Sequence, residues 1–117
     1  MPEANVKMSV RNAAAGVCVI DIEGEITAFA EPVLAEAFNE ASSGDTRTVV
    51  LNFEGMDYMN SGGIGLLVTT LIRANRNKQE MRAFGLSDHY KEILSLTRLD
   101  EAIRIFDDED AAVAGGG

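Results

Sequence analysis

A chain of 117 residues is long enough for one domain with a single core and too short for two comfortable ones. Its composition, 46% apolar and 25% charged, is globular and excludes the disordered and fibrous classes. The net charge of -9, from 10 Lys and Arg against 19 Asp and Glu, argues against non-specific attraction to nucleic acid or anionic membrane and favours a basic patch on a partner protein.

No apolar run approaches the roughly 20 residues of a membrane span. The opening "MPEANVKMSV" lacks the basic start and apolar centre of a secretory signal, so the expected location is the cytoplasm, without membrane insertion. The one cysteine, Cys18, lies in the apolar run "VCVIDI" and reads as buried filler. With one histidine, His89, far from it in sequence, there is little material for a metal site, and no cofactor is expected.

"VKMSV", Val6 to Val10, alternates apolar and polar residues, and "GVCVIDIEGEI" follows the small-residue break "NAAAG", which together predict an antiparallel hairpin. Pro32 suits a first helical position after Glu31, and Val33, Leu34, Ala37, Phe38 and Ala41 share one helical face until "SSGD" ends the pattern. "RTVVLNF" is a short β-branched run, as expected of a central strand covered on both faces. "EGMD" reads as a turn. Beyond it Ile64, Leu67, Val68, Leu71 and Ile72 recur at helical spacing, with Arg73, Asn75, Arg76, Asn77 and Lys78 near the far, carbonyl end. "MRAFGL" predicts a fourth strand, "SDHYKEILSL" a short helix capped by Ser87 or Asp88, and "AIRIF" a last strand. "DDEDAAVAGGG" adds a short acidic-headed helix and three glycines expected to fray. The order predicts a small α/β domain, a mixed sheet with helices packed against it, whose core spans about residues 5–107 and is followed by an acidic, glycine-rich tail at 108–117.

The segment "MNSGG" places Ser61 where a loop enters an apolar helix. A helix beginning at or just after Ser61 presents unpaired N–H groups and a positive dipole end there, and a serine hydroxyl can cap them. Gly62 and Gly63 carry no side chains to shield that hydroxyl. Nucleophilic catalysis is disfavoured because the elbow pattern Gly-x-Ser-x-Gly has Met59 in place of its first glycine, and the only imidazole, His89, suits a solvated helix start. Gly62, Gly63 and Gly65 fit neither G-x-G-x-x-G nor a phosphate loop, which needs a following Lys-Ser or Lys-Thr. Phosphorylation remains as a chemistry. It would add roughly -1.5 to -2 charges beside a helix N-terminus, leaving the fold intact while changing any partner surface laid across Met59, Asn60 and the first helical turn.

Three stretches carry a resemblance: "GEIT" at Gly24 to Thr27, "VVLNFEGMDYMNSGGIGLL" at Val49 to Leu67, and "LSLTRLDEAIRIFDDEDAAVA" at Leu94 to Ala114. They resemble, in the same order, the STAS domain and within it the bacterial anti-sigma factor antagonists. Those proteins typically show a Phe or Tyr, an aliphatic residue, Asp-Ser-Ser-Gly or Asp-Ser-Thr-Gly, then Leu-Gly at this junction. The resemblance implies a binding module and not an enzyme. It implies that Ser61 is phosphorylated by an anti-sigma factor with serine kinase activity, the ATP belonging to that partner. The unmodified form would bind the anti-sigma factor and free the sigma factor.

The residues expected at the partner surface are Glu25, Thr27, Met59, Asn60, Ser61, Gly62, Gly63, Leu66, Thr69 and Arg73. Leu66 is expected to be an exposed anchor off the apolar stripe. A monomer or weak dimer is expected. Three positions depart from the family pattern: Asn60 stands for the usual aspartate, Gly62 for the second hydroxyl residue, and Thr27 for the aspartate of Gly-Glu-Leu-Asp. These motivate an alternative expectation, an adaptor without serine phosphorylation in a lipid-transport ATPase or a signalling complex.

Overall fold

The computed structural model describes residues 5–115 of the chain, so Gly116 and Gly117, two of the three glycines expected to fray, lie outside the described residues. Strands β1 (Val6–Ala14) and β2 (Val17–Ile26) form the expected hairpin; β1 outlasts its alternating run because Arg11 and Asn12 still pair with Val19 and Cys18. A single 3-10 turn, Ala28–Ala30, leads into helix α1 (Glu31–Ala41). Pro32 is its second residue, not its first, which is equally harmless because no N–H of the first turn has a partner inside the helix.

Strand β3 (Thr48–Met59) is central, as expected, but it runs straight through the predicted "EGMD" turn. Strand β2 stays alongside it as far as the pair Ile26–Met59, with register shifts after Asp21 and after Gly24. A Cβ on Gly55 would lie 2.9 Å from both the Ile22 carbonyl oxygen and Glu23 Cγ. That glycine permits a close approach within a bulged strand and does not reverse the chain.

Helix α2 (Ser61–Arg76), strand β4 (Glu80–Phe84), helix α3 (Asp88–Leu96), strand β5 (Ile103–Phe106) and helix α4 (Glu109–Ala114) complete the order. Ser87, the nearer of the two candidate residues, caps α3 by accepting the Tyr90 amide proton. The sheet order is β1-β2-β3-β4-β5, antiparallel only at the β1–β2 hairpin and parallel at the other three pairings. The fold is thus a mixed five-stranded α/β sheet.

Alternation along the strands makes two cores. Ile20, Ile22, Leu51, Phe53 and Met81 face a main core shared with Phe38 of α1, Leu67 of α2 and Leu94 of α3. Val19, Val50 and Phe84 point to the other side, where Ala112 of α4 is fully buried against them. The buried interior therefore extends past residue 107. Arg82 donates to the Ala112 carbonyl at 2.9 Å, and Gly115, expected to fray, is buried in the left-handed conformation (φ 86°) that closes the helix.

Candidate functional site at two adjoining strand ends

Strands β2 and β3 end as neighbours, at Ile26 and Met59, so the segments that follow emerge side by side at one edge of the sheet. After Ile26, Thr27 caps the 3-10 turn: its hydroxyl oxygen accepts the Phe29 amide proton at 3.2 Å. After Met59, the Asn60 N–H donates to the Ile26 carbonyl at 3.3 Å, which holds Asn60 extended (φ -109°) for one residue more.

Helix α2 consequently cannot start before Ser61. Asn60, not Ser61, is its cap, with Oδ1 accepting the Gly63 amide proton at 3.0 Å. Ser61 is displaced from the capping role expected of it and becomes the first helical residue. Its side chain is exposed, and its hydroxyl takes part in no hydrogen bond among the described residues. The first turn of α2 contains no acidic residue of its own to offset the positive end of the helix dipole beside that hydroxyl.

Packing requires a glycine at position 63 and leaves little room at position 62. A Cβ on Gly63 would stand 2.2 Å from the Ile26 carbonyl oxygen, and one on Gly62 would stand 3.0 Å from the Ala28 nitrogen. The two post-strand segments touch through these positions, which gives Gly62 a steric reason to lack a side chain.

Several predicted surface residues take other roles. Met59 is only 5% exposed and belongs to the main core, and Gly63 is buried, so both support the site from beneath. Leu66, expected to be an exposed anchor, is half-buried against the main core. Thr69 is exposed, with its hydroxyl donating to the Gly65 carbonyl at 3.1 Å. Arg73 lies about 18 Å along the helix from Ser61. Its guanidinium donates to Asn39 and stacks 5.0 Å from the Phe38 ring centroid, joining α2 to α1. The structure does gather Glu25, half-buried in register with Tyr58, together with Thr27, Asn60, Ser61 and Gly62.

Leu67 and Leu71 are buried as expected, but Val68 and Ile72, expected in the same stripe, face outward at 37% and 51% exposure, and Gly63, Thr70 and Ala74 complete the buried face. Seating Gly63 against Ile26 fixes this rotation of the helix. Ser61, Gly65, Val68 and Ile72 are spaced i, i+4, i+7 and i+11, so an exposed, largely apolar line runs down α2 from the free hydroxyl. Phe29 and Tyr58, also exposed, lie on the two segments that meet at the site. Sequence reading placed Val68 and Ile72 in the buried stripe and gave Phe29 and Tyr58 no role; for the first two the signal was that they follow Leu67 and Leu71 by one position.

Strong charge pairing is concentrated on the opposite sheet face. Arg11 bonds Asp21 at 2.7 Å and Glu109 at 2.8 Å, holding both carboxyls below their usual range, chiefly through those hydrogen bonds. A cleft of about 410 Å³ lined by Arg11, Cys18, Asp45 and Thr46 lies away from Ser61. Among the described residues no helix is long and apolar enough to cross a membrane, and no three His, Cys, Asp or Glu side chains group as a metal site would need.

This arrangement lies on a mixed α/β sheet whose class is known: the STAS domain family model matches residues 8–112, and the chain belongs to that family. It is 30% identical over 86 residues to the anti-sigma-B factor antagonist of Staphylococcus aureus, covering 74% of this chain and 80% of that protein. Solved structures share the fold. An anti-sigma factor antagonist from Mycobacterium paratuberculosis matches with a TM-score of 0.79 at 19% identity over 97% of both chains. The phosphorylated form of the Bacillus cell fate determinant SpoIIAA matches with a TM-score of 0.71 at 18% identity over 95% of this chain and all of that one.

Proposed function

We propose that the chain is an anti-sigma factor antagonist acting in the cytoplasm by binding and not by catalysis, and that phosphorylation of Ser61 by a kinase-type anti-sigma factor switches the binding off. One observation carries the reading: the Ser61 hydroxyl is exposed at the first position of α2 and unbonded among the described residues, because Asn60 caps the helix in its place. The name of the Staphylococcus aureus relative and the phosphorylated SpoIIAA structure support it.

A phosphate at that position meets the positive end of α2 and is accommodated without repacking the core. The same charge lies at the head of the apolar line through Val68 and Ile72, where it opposes the seating of an apolar partner surface. Incubation with the anti-sigma kinase and ATP, read by intact mass, is expected to add one phosphoryl group to the native chain and none to Ser61→Ala. Absence of a Ser61-dependent gain defeats the switch. Ser61→Asp is expected to weaken the complex in a pull-down, whereas equal binding by both forms would leave a constitutive adaptor.

A further inference from the structure

Strand β3 outruns its neighbour on one side. Its pairing with β4 ends at Asn52–Phe84, whereas β2 accompanies it to Met59. The last residues of β3 therefore have a strand on the β2 side only, and a backbone N–H directed to the other side must find a different acceptor. The Met59 N–H finds the Tyr90 hydroxyl oxygen at 3.0 Å.

Several local features bring Tyr90 there. Gly85, at φ +85°, carries the chain out of β4 against β3, so close that a Cβ would stand 2.7 Å from the Glu54 nitrogen. Ser87 then caps α3 on the Tyr90 amide, and the half-buried Tyr90 ring packs on the main core and edge-on to His89 with centroids 5.0 Å apart. Among the described residues, Tyr90 is the only residue outside the segments Ile26–Ala30 and Met59–Arg76 that bonds the turn from Met59 to Gly63.

We infer that Tyr90 is a positioning residue for Ser61: its hydroxyl fixes the strand end two residues before the serine, so α3 sets how the serine is presented to an enzyme that modifies it. The inference deepens the phosphorylation reading and rests on it for its kinetic consequence, but its structural half stands independently. Tyr90→Phe keeps the ring and removes the one oxygen that Met59 uses.

Two measurements test it. Amide hydrogen exchange in Tyr90→Phe is expected to quicken about tenfold at Met59, with a smaller increase at Asn60, while amides of β2 and β4 stay as in the native chain. With the anti-sigma kinase, kcat/KM for Ser61 is expected to fall in Tyr90→Phe but not in Ile103→Val, which loosens the buried core at β5 without touching the turn. Unchanged exchange at Met59 overturns the inference whatever the kinase does. Faster exchange with an equal kinetic loss in both variants overturns the positioning role, because general loosening would then explain it. A native chain that no kinase modifies defeats the functional reading instead, while the exchange result still decides whether Tyr90 holds the turn.

Discussion

Asn60 and Gly63 are joined by one bond, the Gly63 amide proton on the Asn60 side-chain oxygen at 3.0 Å, and that bond leaves the neighbouring Ser61 hydroxyl without a hydrogen-bonding task among the described residues. Asn60→Ala is therefore expected to destabilise the fold by about 1 kcal/mol. Ser61→Ala is expected to change stability by no more than about 0.5 kcal/mol. Urea unfolding of the two variants checks this, since a capping Ser61 would reverse their order.

Gly63 and Gly65 make a second pair of opposites. Gly63→Ala drives a Cβ against the Ile26 carbonyl, which cannot retreat without breaking the β2–β3 register, and a loss of about 3 kcal/mol is expected. At Gly65 a Cβ meets nothing within 4 Å, so Gly65→Ala should gain up to about 1 kcal/mol of helix propensity. Thermal or chemical unfolding resolves a contrast of that size.

Ile72→Asp places a charge on the exposed apolar line of α2. Because the side chain is half in water already, folding stability should move by less than about 0.5 kcal/mol. Calorimetric titration with the anti-sigma factor should show binding weakened by about tenfold or more. Unaltered affinity would remove this stretch of α2 from the interface.

The pairs made by Arg11 give stability a definite pH dependence. Asp21 and Glu109 are held below their ordinary values of 3.8 and 4.5, first by hydrogen bonds from Arg11, so both are depressed in the folded state. Their contribution is full above about pH 5, where both are ionised even when unfolded. It drains away as pH falls below 4.5 and then 3.8 toward the lower folded values. Arg11→Gln should lower stability at pH 7 and by progressively less as pH falls below 4.5 and 3.8, so that the acid limb flattens in denaturation curves. The groups are partly exposed, and added salt should shrink the difference.

The strand and helix order was legible because periodicity survives wherever one face is covered: Leu34, Ala37, Phe38 and Ala41 fall where their spacing put them. The turn at "EGMD" was misread because glycine and aspartate mark turns only when no neighbouring strand holds the chain straight, and β2 does hold it. Asn60 and Ser61 are equally good caps by residue type. The bond from Asn60 to Ile26, 34 positions earlier in sequence, chooses between them, and local pattern carries no trace of it. The contact between Tyr90 and Met59 is likewise non-local, and the stacking of Arg73 on Phe38 depends on how α1 and α2 pack. Sequence located the candidate site at Ser61. It could not show which of the surrounding residues carry the site and which face the partner.

The adjoining ends of β2 and β3 have a consequence for engineering. Ala28 meets Gly62 and Ile26 meets Gly63 so closely that residues 26–28 and 60–63 behave as two halves of one moulding. Specificity should travel between relatives only when both halves are transplanted together. A lone graft would mate a new loop with the wrong counterpart and forfeit the fit before any partner arrived.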